Sequence, residues 1–192
     1  MDEIFAIRWH GRGGQGAKTA SILLARIAAA AGCHVQAFPE YGPERMGAPV
    51  VAYTRISTQK IKEHCQVEYP DLVAVLDPTL LGTVDVTANI KQEGSLIINS
   101  HKEPSQIKKE NDLKQTIKVF SIDADKISEE EIGRVFPNTP LMGAVNKVAE
   151  LLDEEEFITE AKEEFNKKFS GKEKLVQGNL KSVQRSLEEI KS

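Results

Sequence analysis

Cysteine is scarce. Cys33 and Cys65 are the only two in 192 residues, and they share no paired spacing, so the sequence offers no iron–sulfur or zinc ligand set. Long apolar runs are missing as well: none approaches the roughly 18 residues that a membrane helix needs, and the alanine-rich stretch is broken by Arg26. There is no excess of positive charge, the formal net charge being −4, so nothing draws the whole molecule to nucleic acid. Met-Asp-Glu opens the chain without a basic n-region or a cleavable apolar segment, which leads to the expectation of a cytoplasmic protein. Catalytic signatures are lacking too. The chain has no G-x-S-x-G elbow, no H-E-x-x-H and no P-loop, and His34, His64 and His101 have no companions at ligand spacing. Neither a catalytic residue nor a metal site is therefore assigned to this chain.

What remains is an ordinary composition, with 40% apolar and 28% charged residues. That length suits one α/β domain with a real core. The stretch from Ile4 to Ala31 organises the rest: Ile4 to Trp9 is apolar and β-favouring except for Arg8, a glycine loop follows, and an alanine-rich helix begins behind it. The loop residues Gly11, Arg12, Gly13, Gly14, Gln15 and Gly16 satisfy G-x-G-x-x-G. Glycine permits positive φ and removes the Cβ that would block a ligand, while the helix start offers unpaired N–H groups and a positive dipole end. The combination predicts an anion cradle, most often for a pyrophosphate. Lys18 and Thr19 lie in the first helical turn, within reach of a phosphate. His10, at the strand tip, could touch a ligand, although a local hydrogen-bonding role is commoner for a lone histidine.

Cys33 to Phe38 reads as a second strand closed by Pro39, giving β-α-β. In a dinucleotide fold such a strand ends in an acid that binds ribose, whereas here it shows Gln36, Ala37 and Phe38, with Glu40 arriving late. A stiff loop from Pro39 to Pro49 comes next, PEYGPERMGAP, whose prolines and glycines encode a fixed shape. Arg45 within it suits phosphate or carboxylate, because guanidinium pairs with both in a bidentate way.

Further strands are expected at Ala48 to Ile56, Leu72 to Leu76, Leu96 to Ile98 and Ile117 to Ile122, with a weak helix from Thr79 to about Gln92 between the second and third of these. Helices follow at Thr139 to Leu152, Asp153 to Phe169 and Glu173 to Ile190, with Phe157, Phe165 and Phe169 as apolar contacts and the many charges of the last two as a solvated face. The fold class expected is α/β: a three-layer α/β/α Rossmann-like domain with a mostly parallel sheet and a C-terminal helical appendage. Residues 1–152 form the α/β domain, and 153–192 a helical extension packed on it.

Three readings fit these residues. One is a phosphate- or nucleotide-binding subunit that serves a larger machine; the others are a stand-alone NAD(P)-binding oxidoreductase and a non-catalytic ligand-binding or assembly module. The missing ribose acid and the missing catalytic groups weigh against the NAD(P) enzyme.

The motifs GRGGQGAKTA (Gly11 to Ala20), FPEYGPERMGAPVVAYTRIS (Phe38 to Ser57), PDLVAVLD (Pro70 to Asp77), GSLIINS (Gly94 to Ser100) and NTPLMGA (Asn138 to Ala144) occur in that order. Together they closely resemble the gamma subunits of 2-oxoacid:ferredoxin oxidoreductases, with pyruvate:ferredoxin oxidoreductase, or pyruvate synthase, the nearest branch. The resemblance covers about Ile4 to Leu152. It implies oxidative decarboxylation of a 2-oxoacid to its acyl-CoA with electrons passed to ferredoxin. Thiamine diphosphate, Mg and [4Fe-4S] clusters would be carried by the alpha, beta and delta subunits. It further implies that this chain helps present coenzyme A, whose phosphates suit Gly11, Arg12, Gly13, Gly14, Gln15, Gly16, Lys18, Thr19 and Arg45. Neither nucleic acid nor membrane is an expected partner.

Overall fold

The computed structural model describes residues 4–40 and 46–192. Six strands form one mixed sheet: β1 (Phe5–Arg12), β2 (His34–Pro39), β3 (Pro49–Ser57), β4 (Leu72–Val75), β5 (Ser95–Asn99) and β6 (Lys118–Ile122), in the order β2-β3-β1-β4-β5-β6. The pairs β1–β4, β4–β5 and β5–β6 are parallel, whereas β3 runs antiparallel to both β1 and β2. The helices are α1 (Ala17–Ala30), α2 (Pro104–Glu110), α3 (Ala124–Ile132), α4 (Asn138–Ala149), α5 (Glu154–Lys168) and α6 (Glu173–Glu189).

The two faces of the sheet are dressed unequally. On β1, Ile7 and Trp9 point to one side and join a large core with Leu24 and Ile27 of α1, Ile127 of α3, Leu141 and Val145 of α4, Phe157 and Phe165 of α5 and Val183 of α6. The opposite side carries Val73, Val75, Leu96 and Ile98 against Ile107 of α2 and Leu80 of a 3-10 helix (Pro78–Gly82). Their alternates on β4 and β5, Leu72, Ala74 and Ile97, join the first core, as the period of two requires. Small side chains bring α1 close to the sheet: Ala17, Ala20 and Ala28 are all buried. A left-handed Gly32 then ends that helix, with Gly32 N–H on the Ala29 carbonyl and Cys33 N–H on that of Ala28.

The last two helices share the main core with α1. Asp153 caps α5 by accepting from Glu155 and Glu156 N–H, and Phe157 and Phe165 are fully buried. Glycine brings α6 close to its neighbours: a Cβ at Gly178 would stand 2.5 Å from the Glu131 carbonyl oxygen, and one at Gly143 2.1 Å from Ser186 Oγ. Beyond α6, Lys191 pairs with Ser121 as a short antiparallel bridge on the edge of the sheet.

Three sequence expectations are corrected. First, β1 and β2 are not neighbours, since β3 inserts between them, so the opening unit is not a simple β-α-β. Second, Gly11 and Arg12 belong to the strand, opposite Val50 and Pro49, and the turn begins only at Gly14. Third, the helix expected at 79–92 is a 3-10 helix followed by turns. Gly82 and the β-branched run Thr83, Val84, Val86 and Thr87 disfavour helix, and the buried Arg8 guanidinium binds the carbonyls of Val86 (3.1 Å) and Ala88 (2.6 Å) in the turn conformation. Helices α2 and α3 lie in stretches that the sequence reading passes over.

Candidate functional site

Parallel strand ends and the antiparallel β3 bring two loops together. Because β3 runs back along β1, the end of the proline loop is delivered beside the glycine loop: Gly13 pairs with Met46, Gly13 N–H donates to the Ala48 carbonyl (2.9 Å) and Gly47 N–H to that of Gly13 (3.2 Å). Of the glycines, Gly14 (φ 99) and Gly16 (φ 88) need the left-handed region. Gly16 is the residue from which α1 springs. Gln15 N–H turns back to the Arg12 carbonyl at 3.0 Å. With Gly13 and Gln15 so engaged, the N–H groups of Gly14, Gly16, Ala17, Lys18 and Thr19 have no hydrogen-bond partner among the described residues. They form the donor set that an anion would meet.

Arg12 and Gln15 are both tied to Asp77. Arg12 Nε lies 3.2 Å from Asp77 Oδ2 at the end of β4, Gln15 Nε2 donates to the same oxygen (2.7 Å), and Gln15 Oε1 accepts from Arg12 N–H (2.7 Å). Thr79 completes the knot, giving its N–H and hydroxyl to Asp77 Oδ1 and accepting from the Arg12 guanidinium. Burial alone would raise the Asp77 carboxyl, but the hydrogen bonds from Thr79 and Gln15, with the Arg12 charge, hold it below the usual carboxylate range. The knot fixes the glycine loop to the neighbouring strand, while a further Arg12 donor reaches the Gly47 carbonyl and ties in the second loop.

On the other side of the loop a cleft of about 610 Å³ opens, lined by Gly14, Gly16, Thr19, Asn138, Thr139 and Asn179 together with the α5–α6 corner. The corner contributes Lys168, Lys172 and Lys174, and the α3–α4 turn contributes Arg134. Neither these cations nor Asn138 is among the residues that the sequence marks for binding, since charges on an amphipathic tail read as a solvated face. The spacing Lys168, Lys172, Lys174 around Ser170 and Gly171 was the available signal. A second cavity, about 380 Å³, sits at the ends of β4 to β6, rimmed by Asn99, Ser100, Asp123 and Asp125; its carboxylates repel phosphate.

Of the residues expected to bind, Gly14, Gly16 and Thr19 line the cleft. Lys18 is exposed on α1 and does not. Arg45 lies outside the described residues. His10 is buried on the thin side of the sheet, where desolvation first and the Arg8 charge second push its pKa down to about 4; its Nε2 has no partner among the described residues, and it lines no part of the cleft. Glu40, the late acid after β2, accepts from the Tyr53 hydroxyl (3.0 Å). Among the described residues no three His, Cys, Asp or Glu side chains come together to hold a metal, and no helix is long and apolar enough to cross a membrane.

Comparison with known proteins matches residues 6–189 to the family model for pyruvate ferredoxin/flavodoxin oxidoreductase. Pyruvate synthase subunit PorC of Thermotoga maritima is 41% identical over 187 residues, covering 97% of this chain and 95% of that one. The common gamma subunit of the pyruvate and ketoisovalerate oxidoreductases of Pyrococcus furiosus is 44% identical over 160 residues, 83% of this chain and 86% of that one. The crystal structure of the Thermotoga maritima subunit superposes with a TM-score of 0.83 at 37% identity and covers 98% of both chains. A 2-oxoglutarate:ferredoxin oxidoreductase from Magnetococcus marinus shares the fold at a TM-score of 0.74 and 20% identity; the match spans 97% of this chain and 31% of that one.

Proposed function

The chain belongs to the pyruvate ferredoxin/flavodoxin oxidoreductase family, and on that premise we propose that it holds the phosphates of coenzyme A as the gamma subunit of a 2-oxoacid:ferredoxin oxidoreductase. The complex converts pyruvate, or another 2-oxoacid, to its acyl-CoA and passes the electrons to ferredoxin. One observation carries the binding role: the N–H groups of Gly14 and Gly16 and of the first turn of α1 stand unpaired at the head of a helix, beside a cleft deep enough for a ligand. Gly11, Gly13 and Gln15 shape the loop, Arg12 holds it to Asp77, Thr19 lines the entrance, and Lys18 and Arg45 add charge.

The two cysteines are far apart in character, Cys33 half-buried and Cys65 exposed, and offer no ligand set for a cluster. The same reading assigns thiamine diphosphate, Mg and the [4Fe-4S] clusters to the alpha, beta and delta subunits of a cytoplasmic complex. That relatives bear the name of a subunit common to two oxoacid oxidoreductases supports a further point: this chain does not choose the oxoacid. Nicotinamide dinucleotide is disfavoured because β3 separates β1 from β2, which removes the adjacent strand whose terminal acid would bind ribose.

Reconstitution tests the reading. The complex assembled with this chain should form acetyl-CoA and reduce ferredoxin, and leaving the chain out should abolish acetyl-CoA formation. Equal rates with and without it would refute the role.

A further inference from the structure

We propose that the open edge of β2 is a self-pairing surface, through which two copies of this chain join their six-stranded sheets into one continuous sheet.

The two ends of the sheet are finished differently. Beyond β6, Lys191 and Ser121 exchange backbone hydrogen bonds in both directions (2.9 and 3.1 Å) and close that edge. At the other end β2 has β3 on one side, and on its outer side no strand, bridge or backbone hydrogen bond among the described residues. Natural sheet edges are usually blunted by lysine, by proline or by a bulge. The sequence of β2, HVQAFP, has no lysine, arginine or carboxylate, and its proline comes last; Val35, Gln36, Ala37 and Phe38 are only half-buried.

The register decides which backbone groups face outward. Glu40 N–H donates to the Val51 carbonyl (2.9 Å), one step beyond the Pro39 and Ala52 pair, so the even-numbered residues of β2 spend their backbone groups on β3. The ladder between β1 and β3 agrees. Gly13 N–H meets the Ala48 carbonyl there, which turns the even-numbered residues of β3 toward β1 and its odd-numbered ones toward β2. Val35, Ala37 and Pro39 therefore point their backbone groups away from the sheet. Pro39 has no N–H, which leaves donors on Val35 and Ala37 and a carbonyl on each of the three residues.

This outward set is complementary to itself. An antiparallel second copy, related by a two-fold axis at Ala37, sets Ala37 opposite Ala37 and Val35 opposite Pro39. Each Ala37 N–H then bonds the other Ala37 carbonyl and each Val35 N–H a Pro39 carbonyl, so that all four free donors are used. The missing proline donor idles only the Val35 carbonyl. Side chains match in the same register. His34 and Glu40, both exposed, come opposite each other across the axis, a nitrogen donor facing a carboxylate. Val35 faces Pro39, apolar on apolar. Phe38, already packed on Tyr53 with ring centroids 5.3 Å apart, comes beside Gln36 of the second copy. The occupant is a second copy rather than an unrelated strand because the same short segment supplies both halves of every one of these contacts. A contact of this kind closes on itself and stops at a dimer.

Light scattering on the full-length chain should give a mass of twice 21.2 kDa. Ala37→Pro spares the ladder to β3, because the N–H that it removes points outward, but it deletes both bonds at the axis, and the particle should fall to 21.2 kDa. His34→Glu sets carboxylate against carboxylate and should also lose the dimer, and adding Glu40→Lys to it should restore the dimer, a rescue that a folding defect cannot imitate. If Ala37→Pro fails to fold, the charge series decides alone. Amide exchange on the assembled complex is the second measurement: Val35 and Ala37 should be protected, with two copies of this chain present. A parent chain that stays monomeric overturns the proposal, and so does a dimer that survives both Ala37→Pro and His34→Glu. Protected β2 amides in a complex holding a single copy would show that a strand of another subunit covers the edge, and the proposal falls.

Discussion

The carboxamide of Asn138, at the start of α4, packs against Gly16, at the start of α1, so closely that a Cβ on Gly16 would stand 3.2 Å from its Nδ2. Two helix beginnings meet there, and the residue between them must be glycine for two independent reasons: the φ of 88° and the lack of room. Gly16→Ala should therefore lower stability by about 1–3 kcal/mol through backbone strain and displacement of Asn138. It should also weaken coenzyme A use. Thermal melts beside coenzyme A titrations of the complex check both.

Acid should loosen the glycine loop through Asp77. Its folded pKa lies below the unfolded value of about 3.9. The knot with Arg12, Gln15 and Thr79 therefore contributes stability above that value and loses it as pH falls through the folded pKa. Asp77→Asn should remove this part of the acid sensitivity while lowering stability at neutral pH. Denaturant unfolding of both proteins between pH 3 and 7 shows the difference in slope.

His10 gives a second pH dependence in a higher window. Its imidazole, neutral in the fold with a pKa near 4, regains protons on unfolding up to about pH 6.5. The unfolded chain then binds more protons than the folded one, so stability is full above about 6.5 and declines by a few kcal/mol toward pH 4. His10→Phe removes a buried nitrogen without a partner and should flatten the curve between pH 4 and 6.5. A slope unchanged from the parent would show that His10 is not the titrating group.

Gly178 tests the packing of the C-terminal helix. Alanine favours helix over glycine by about 1 kcal/mol, yet its Cβ would press to 2.5 Å of the Glu131 carbonyl. Overpacking of about 1–3 kcal/mol should win. Gly178→Ala is expected to lower the melting temperature, and a rise would mean that α6 is free to move away from α3.

The strands and the larger helices were legible because their signals are local. The β4 run Leu72 to Val75 and the stripe of Leu141, Ala144 and Val145 on α4 appear where the periodicity puts them, and the glycine motif does stand between β1 and α1. The place of β3 between β1 and β2 was not legible, because pairing partners are set by tertiary contacts that leave no mark on a single strand. The stretch after Asp77 reads as helix for a similar reason: the buried Arg8, 78 and 80 residues earlier in the chain, fixes the Val86 and Ala88 carbonyls in turns. Helix α3 did carry signals, an Asp123 cap and a left-handed Gly133 at its end. At the site, the glycines were visible as a motif, whereas Asn138 and the lysines of the α5–α6 corner reach it only through folding.

The most direct test of the account is the KM for coenzyme A of the assembled complex with Gly14→Val in this chain. At φ 99 a β-branched residue strains the loop, and its side chain would press on Met46 (3.3 Å from the added Cβ) and screen the free N–H groups. The account predicts a KM for coenzyme A raised at least tenfold, with the KM for pyruvate unchanged and the subunit still in the complex. An unchanged KM in a complex shown to be intact would contradict it.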